Sequence, residues 1–506
     1  MTFLSRILGF ARDVVLAKTF GADAATDAFF VAFKIPNFLR RLFAEGSFSQ
    51  AFVPVFADYK ENRDKTELKA LVDQVAGTFG AILFLITLVG VIAAPILIML
   101  FGPGFIDEPE KYDLAVEMLR ITYPYLFFIA LTAFSGGILN SMGHFGVPAF
   151  TPVLLNICLI GAALWLSPMM DKPVVALAWG VFAAGVVQLL FQLPFLARIG
   201  LLPRPRWAWK SDGVQRIFKL MLPAIFGSSV VQINLLFDTL IASFLVTGSI
   251  SWLYYSDRLV EFPLGVFGIA LATVILPKLS RDHARSSAET FSNTLDWALR
   301  LVVVIGTPAA VGLITLSGPL ITALFYGGEF GQFDVEMARL SLMAYSLGLM
   351  GFILVKVLAP GFFAREDTKT PVKIGITAMI VNMVLNVLFV VPLVMIDFKG
   401  THVGLALATA GSAFLNAGLL YYALKKKGIY QLGKGWWLLL LRVVIAAAAM
   451  ATVLLWFVPV LERWYEWSFG YRMGQLLMWV GAGMAVYFLC LLLLGLKPRS
   501  LLKLPT

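Results

Sequence analysis

The stretch that decides the fold is KIPNFLRRLFAEGSFSQAFVP, residues 34–54. Lys34, Arg40, Arg41 and Glu45 interrupt a run of side chains that is otherwise mostly apolar. A charge near the centre of a bilayer costs about 2.5–3.5 kcal/mol on insertion scales, so charged residues inside a membrane segment usually have a function. Whether this stretch lies in a membrane follows from the rest of the chain.

The composition is that of an integral membrane protein. The chain has 506 residues, of which 59% are hydrophobic and only 14% are charged, whereas soluble domains carry roughly 25% charged residues. Apolar runs such as 81–101 and 436–458 reach the roughly 20 residues that a helix needs to cross the hydrocarbon. There are too many such runs for a removable signal peptide. We predict an all-α polytopic membrane protein with fourteen transmembrane helices, from 3–20 to 473–496.

Basic residues are concentrated in every second loop, which predicts that both termini lie in the cytoplasm. The loops placed there carry Lys60, Arg63, Lys65, Lys69, Arg198, Arg204, Arg206, Lys210, Lys425, Lys426, Lys427 and Lys434, among others. Loops on the opposite side are acidic, as in GPGFIDEPEKYD. The net charge of +10 therefore reflects membrane orientation, and we expect no nucleic-acid partner.

The chain repeats itself with the same topology. A shift of 223 residues lays Pro54 on Pro277 and Pro148 on Pro371, and six predicted helices separate the equivalent positions. Parallel repeats of this kind are typical of transporters, with the substrate site between the two halves. We predict an N-terminal lobe at 1–200, a C-terminal lobe at 201–430, and two further helices at 431–506.

Charged side chains within the predicted helices are mostly basic. They are Arg6, Arg12, Lys18, Lys34, Arg40, Arg41, Arg258 and Lys356, against Asp13, Asp27, Glu45 and Asp257. Seven-residue spacings would let Arg6 pair with Asp13 and Asp27 with Lys34, and such structural pairing is one interpretation. The basic excess favours a second, a hydrated cationic cavity for a phosphorylated substrate, because guanidinium groups suit phosphate oxygens.

Backbone-breaking residues coincide with these charges. Pro36 removes a hydrogen-bond donor from the second helix, and Gly46 follows the charged cluster. We expect Pro36, Arg41 and Gly46 to mark a segment that moves.

Three stretches carry a family resemblance: SRILGFARDVVLAKTFGADAATDAFFVAFKIPNFLRRLFAEGSFSQAFVPVFADY, SWLYYSDRLVEFPLGVFGIALATVILPKLSR and LVKVLAPGFFAREDTKTPVKI. They closely resemble the MurJ (MviN) lipid II flippases. The resemblance implies the fold of the multidrug/oligosaccharidyl-lipid/polysaccharide (MOP) exporters, which the MATE transporters share. Members of the family carry several more residues before the first helix, so we expect a shortened or diverged start here.

The resemblance also implies site residues. By analogy with the family, those expected to bind substrate are Ser5, Arg6, Arg12, Asp13, Asp27, Arg40, Ser251 and Arg258. Glu45 matches a residue implicated in gating, and the last two helices match a groove for the undecaprenyl tail. Some relatives bind Na⁺, and Asp238, Asn382, Asn386 and Thr409 could supply the oxygens for such a cation. Asparagine in a membrane helix also serves interhelical hydrogen bonding, which is the alternative interpretation.

We expect a monomeric lipid II flippase of the bacterial inner membrane that works by alternating access in peptidoglycan synthesis, surrounded by membrane lipid. Lipid II is undecaprenyl-pyrophosphate-MurNAc-pentapeptide-GlcNAc. No cofactor is expected beyond Na⁺ or the membrane potential. An exporter of another polyprenyl-linked glycan, such as O-antigen, remains an alternative, as does a MATE-type drug exporter. The weakest alternative is an enzyme acting on polyprenyl phosphates, because Cys158, Cys490 and the three histidines form no catalytic or metal motif.

Overall fold

The computed structural model describes residues 2–284 and 287–496; the side chains at 2, 3, 43–46, 226–232 and 269 are not described. In this part of the chain the regular structure is helical, apart from an isolated bridge between Gly327 and Phe330. The all-α prediction is confirmed.

The chain divides into two compact units, Met1–Ser251 and Trp252–Thr506. The first unit contains α1 (Thr2–Phe20), α2 (Ala24–Leu39), α3 (Ser49–Asn62), α4 (Lys65–Ile92), α5 (Ala94–Phe101), α6 (Pro109–Thr122), α7 (Tyr125–Ser141), α8 (Gly146–Gly161), α9 (Val175–Arg198) and α10 (Asp212–Ala242). The predicted lobe boundary at 201 would place α10 with the second half. That boundary describes the sequence repeat and stays a prediction.

The second unit begins within α11 (Ser249–Pro263). It continues with α12 (Ile269–Ala284), α13 (Ala288–Thr315), α14 (Ser317–Phe325), α15 (Gln332–Leu358), α16 (Pro360–Phe363), α17 (Lys369–Met395), α18 (Val403–Lys426), α19 (Trp436–Phe457), α20 (Leu461–Glu466) and α21 (Phe469–Leu493).

Eleven helical segments in the described residues are long and apolar enough to cross a membrane. The count of fourteen is not confirmed. The other three predicted spans correspond to α1, to α2 with α3, and to α10. Charged residues lower the hydropathy of α1 and of α2 with α3, since α1 alone contains Arg6, Arg12, Asp13 and Lys18. These are the helices in which the sequence places its functional charges.

The core of the first unit is aromatic. Phe48 stacks on Phe52 and Phe79, with ring centroids 5.3 and 4.3 Å apart, and Phe52 meets Phe134 edge-on at 5.2 Å. These rings come from four stretches of chain, and residues of α10 pack against the same cluster. Such ring pairs contribute about 0.5–1.5 kcal/mol each beyond the area they bury. The cluster fixes α3 and α4 beside α7.

Helix α2 passes into α3 through a π-helical segment, Arg40–Phe48. In this segment the Ser47 hydroxyl donates to the Leu42 carbonyl at 2.7 Å. A second π-helical segment, Leu264–Gly268, joins α11 to α12. The repeat shift of 223 maps 40–48 onto 263–271, so the two irregular segments occupy equivalent positions. Irregularities of this type are frequent at functional sites.

Helices α19 and α21 are attached to α13 and α14 at both ends of the pair. At one end Asp296 of α13 accepts hydrogen bonds from the Trp436 indole (2.7 Å) and the Arg300 guanidinium (2.6 Å). At the other end the buried Arg472 of α21 donates to the carbonyl of Thr322 at 3.2 Å. These bonds, with the Leu and Ala residues between them, make the last two helices part of the second unit.

Candidate functional site

Arg12 is the most fully enclosed of the predicted substrate-binding arginines. It is 8% exposed and lies on α1, which packs against α8. Its Nε and Nη2 atoms donate to Oδ1 of Asp13 at 2.9 and 2.7 Å, and Nη1 donates to Oδ1 of Asn156 at 3.0 Å. Asn156 in turn donates to the carbonyl of Ser5 at 3.2 Å. The three bonds fix the plane of the guanidinium group.

The structure therefore brings together Arg12, Asp13 and the backbone of Ser5, as predicted. Asn156 was missed by the sequence analysis. An asparagine one face of α8 away from any charge carries no signal in a single sequence. Gly9 keeps this contact close, because a Cβ there would lie 3.7 Å from the Asn156 amide.

The other predicted arginines of the first unit are more open. Arg6 is exposed and forms no ion pair with any residue that the structure describes. Arg40 is partly buried, and its Nε donates to Oδ1 of Asn37 at 3.2 Å on the same helix. Arg41 is exposed.

Arg258 belongs to the second unit. Its Nη1 lies 2.6 Å from Oε2 of Glu261, one turn further along α11, and its guanidinium lies 4.9 Å from the centre of the Tyr254 ring. The side chain is about a third exposed. Glu261 was not counted among the acids of the charged set, although its three-residue spacing from Arg258 is a recognisable signal.

The predicted seven-residue pairings are not formed. Asp13 takes Arg12, its neighbour in sequence, instead of Arg6. Asp27 bonds to a distant segment of the first unit instead of Lys34. The structural-pairing interpretation is thus right about Asp13 being paired and wrong about its partner.

Asp27 is 1% exposed and lies in the first turn of α2. One carboxylate oxygen accepts from the backbone N–H of Gly248 at 2.7 Å. The other accepts from the backbone N–H of Ser251 at 2.9 Å and from its hydroxyl at 2.6 Å. We call this set, with Lys111, the Asp27 latch.

Lys111 supplies a positive charge to the latch. Its Nζ lies 3.9 Å from Oδ2 of Asp27, 3.4 Å from Glu108 and 3.4 Å from the Thr247 hydroxyl. The Phe105 ring lies beneath it at 4.5 Å. Lys111 is 4% exposed although the sequence places it in an acidic loop. A single lysine among acids such as Asp107, Glu108 and Glu110 was the available signal.

The backbone approaches closely beside the latch. The Gly104 N–H donates to the Ser243 hydroxyl at 3.0 Å. A Cβ on Gly104 would lie 2.1 Å from the Ser243 carbonyl oxygen, so only glycine fits. The segment before α6 is thereby held against the end of α10, at the same end of the first unit as Asp27.

The predicted moving segment has its irregularity after Pro36 and not at it. Pro36 is buried inside α2, where it leaves the Ala32 carbonyl without its usual helical donor. The buried Thr122 of α6 donates to that carbonyl at 3.3 Å. The helix changes register only from Arg40 onwards. Glu45 and Gly46 have side-chain positions that lie outside the described residues.

The predicted sodium ligands are divided between the two units. Asp238 lies on α10 of the first unit. In the second, Asn382 donates to the Ser412 hydroxyl at 3.2 Å, and Asn386 donates to Oδ1 of Asn382 at 3.2 Å. Thr409 donates to the Leu405 carbonyl at 3.0 Å. Amide and hydroxyl oxygens suit a hard cation, but these bonds also match the alternative of interhelical hydrogen bonding. The described residues include no group of three or more His, Cys, Asp or Glu that could hold a metal.

Comparison with known proteins places this arrangement in a family. The sequence profile described as "Lipid II flippase MurJ" matches residues 16–474. The chain belongs to the lipid II flippase MurJ family. It is 51% identical to the "Probable lipid II flippase MurJ" of Vibrio cholerae serotype O1, over 99% of this chain and 95% of that protein.

Solved structures agree with the family assignment. The fold matches a structure described as "Lipid II flippase MurJ, inward closed conformation" with a TM-score of 0.78 and 28% identity, covering 97% of this chain and 98% of that one. An inward-facing MATE transporter of the MOP superfamily matches with a TM-score of 0.66 at 17% identity, over 85% and 95% of the two chains. The second likeness establishes the fold alone. The predicted MOP fold class is confirmed, and the protein is a membrane protein of a transporter family.

Proposed function

We propose that this protein is a lipid II flippase, which moves the undecaprenyl-pyrophosphate-linked peptidoglycan precursor from the cytoplasmic to the outer leaflet of the bacterial inner membrane. The family supports the substrate, because the related proteins are named for it. The single structural observation that carries the proposal is the buried, oriented guanidinium of Arg12.

An arginine is suited to the task because its donors form a planar fork that matches phosphate oxygens. Asp13 and Asn156 hold the Arg12 fork in one plane before any substrate arrives, so less conformational entropy is lost on binding. Arg6 on the same helix is exposed and has no described carboxylate partner. It supplies the net positive charge that a diphosphate requires. Arg40 and Arg258 would complete the site.

The Asp27 latch serves as a gate in this proposal. Alternating access needs contacts that exist in one state and break in the other. The three hydrogen bonds from Gly248 and Ser251 to Asp27 join parts of the chain that are more than 200 residues apart. Charge-assisted bonds of this kind are strong in a dry environment. Opening would replace them with water, which costs little when the gate is hydrated.

The undecaprenyl chain would remain in lipid beside α19 and α21. Large apolar side chains on these helices are exposed, including Leu441, Val444, Leu455, Leu477 and Phe488. Since both ends of the pair are tied to α13 and α14, this surface would move with the second unit during transport.

We place the termini in the cytoplasm and the protein in the inner membrane as a monomer, from the distribution of basic loops. An exporter of a different polyprenyl-linked glycan is the second candidate. The Arg12 site supports it equally, because a guanidinium recognises the diphosphate and not the sugars.

The test is transport by the purified protein in vesicles that contain fluorescent lipid II. Arg12→Ala should abolish translocation, whereas Arg63→Ala should not, because Arg63 is an exposed residue paired with Glu67 outside the site. Transport at the wild-type rate by a folded Arg12→Ala protein would refute the proposal. Equal transport of an O-antigen lipid would favour the second candidate.

A further inference from the structure

The same five-residue pattern occurs in both units. The first has VEMLR at 116–120, in α6, and the second has VEMAR at 335–339, in α15. In each, a glutamate lies three residues before an arginine. The two copies are wired differently, and that difference locates a binding site.

In the second unit the pair is closed. Arg339 Nη1 lies 3.0 Å from Oε2 of Glu336. In the first unit Glu117 turns instead to Lys172, with Oε2 and Nζ 2.7 Å apart. Arg120 is exposed and has no ion pair or hydrogen bond with the residues that the structure describes. The first unit thus carries a cation that its counterpart neutralises.

Arg120 lines a cavity of about 470 Å³ between α5 and α6. The other lining residues are Pro95, Tyr112, Asp113, Val116, Glu117 and Ile121. The Tyr112 hydroxyl donates to the Pro95 carbonyl at 2.9 Å and closes the floor between the two helices. Asp113 is exposed, lies seven residues before Arg120 on the same helical face, and approaches Lys172. The hydrogen bond to Glu117, with a smaller contribution from the Asp113 charge, raises the pKa of Lys172.

The surroundings of the cavity face lipid. Ile92, Ile96 and Leu100 are 69%, 67% and 58% exposed on the neighbouring segment. A charge beside such a surface is costly unless it reaches a polar partner. The partner has to come from the membrane.

The depth of the cavity identifies the partner. The span Pro109–Ser141 has 33 residues and is therefore about 50 Å long, against about 30 Å of hydrocarbon. If the excess is shared between the ends, the hydrocarbon begins about 10 Å along the helix. Asp113 then lies about 4 Å outside this boundary and Arg120 about 6 Å inside it. A guanidinium there reaches the phosphate level of the lipid headgroups.

We propose that this cavity binds the headgroup of a zwitterionic phospholipid, phosphatidylethanolamine. Arg120 holds the phosphodiester, and Asp113 accepts hydrogen bonds from the primary ammonium, which lies further from the hydrocarbon. The four charged groups, Asp113, Glu117, Arg120 and Lys172, sum to zero. This matches a headgroup of zero net charge better than an anionic one. The site is separate from the residues assigned to transport.

The test is native mass spectrometry of the full-length protein with phosphatidylethanolamine, phosphatidylglycerol or phosphatidylcholine. The wild type should retain phosphatidylethanolamine at least about tenfold more tightly than phosphatidylcholine, whose trimethylated nitrogen has no N–H to donate. Arg120→Gln should weaken phosphatidylethanolamine binding about tenfold, the loss of one charge-assisted contact. Arg339→Gln is the matched control, because that arginine already has a partner, and it should bind as the wild type does.

A second variant tests the wiring itself. Lys172→Gln releases Glu117, which can then pair with Arg120 as Glu336 pairs with Arg339. Binding should fall about threefold although Arg120 is unchanged. Equal retention of all three lipids by the wild type, or equal effects of Arg120→Gln and Arg339→Gln, would overturn the proposal.

Discussion

Asp13 and Asp27 are both buried carboxylates of the first unit, each 1% exposed, yet they are satisfied in opposite ways. Asp13 bonds to the guanidinium of the next residue on its own helix. Asp27 bonds to two backbone N–H groups and a hydroxyl that lie 221 and 224 residues away. A partner on the same helix travels with the carboxylate in any rigid-body movement, whereas a distant partner need not. The comparison separates a permanent pair, which orients a binding group, from a breakable contact, which can act as a gate.

The largest effect is expected at the permanent pair. Arg12→Ala should abolish rescue of cells depleted of their own lipid II flippase, because the diphosphate loses its oriented donor. Arg12→Lys should not restore rescue, since an ammonium has no planar fork. Growth on depletion, with expression checked by immunoblot, measures both.

Rescue by Arg12→Lys at the wild-type level would mean that charge alone suffices and that the orientation set by Asp13 has no role.

Asp13→Asn tests the orienting carboxylate. Removing one partner of a buried ion pair typically destabilises a protein by about 3–5 kcal/mol, because the remaining charge is left uncompensated. We expect a clear fall in the thermal unfolding temperature of the detergent-solubilised protein. The double variant Asp13→Asn/Arg12→Gln, in which no charge remains, should recover part of that loss. If it recovered none, the pair would contribute through packing and not through charge.

Ser251→Ala and Asp27→Asn grade the latch. Ser251→Ala removes one of three hydrogen bonds, which is worth about 1.5–3 kcal/mol to a charged acceptor. Asp27→Asn weakens all three. Amide hydrogen exchange at Gly248 and Ser251 should therefore accelerate modestly in the first variant and strongly in the second. Unchanged exchange in Asp27→Asn would show that the latch does not hold this segment.

The smallest effect is expected at a contact that is distant in sequence but exposed. Asp58 and Arg216 are 158 residues apart and 2.6 Å from each other, with side chains 37% and 50% exposed. Hydrogen bonds from Asn62 and then from Arg216 lower the pKa of Asp58. Any stabilisation is thus fully present above the usual aspartate pKa of about 4 and is lost as the pH falls through the lowered value.

Arg216→Ala should leave the unfolding temperature at pH 7 unchanged within error, because exposed ion pairs contribute little. A fall as large as that of Asp13→Asn would mean that separation in sequence, and not burial, governs these contacts.

The sequence predicted the two carboxylates unequally, for a physical reason. Arg12 and Asp13 are adjacent, so their contact follows from local geometry. The partners of Asp27 are backbone groups of Gly248 and Ser251, which have no side-chain signature. Ser251 was expected at the substrate site through family resemblance, but its bond to Asp27 was not anticipated. Lys111, Asn156 and Glu261 were also missed.

The helical fold was more predictable than the site, because apolar runs of membrane length are visible in one sequence. The three predicted spans that are not among the eleven apolar segments are those with charges or with undescribed side chains. The register change at Arg40–Phe48 was anticipated as a bend at Pro36 and Gly46. Its π-helical form depends on contacts such as Ser47 to Leu42, and no residue pattern specifies it.

The most direct test of the account is to measure lipid II binding and lipid II transport on the same two variants. Native mass spectrometry should find that Arg12→Ala no longer retains lipid II, whereas Asp27→Asn retains it. In vesicles, neither variant should transport it at the wild-type rate. If Asp27→Asn lost lipid II as completely as Arg12→Ala, or if Arg12→Ala kept it, the distinction between the orienting pair and the latch would be contradicted.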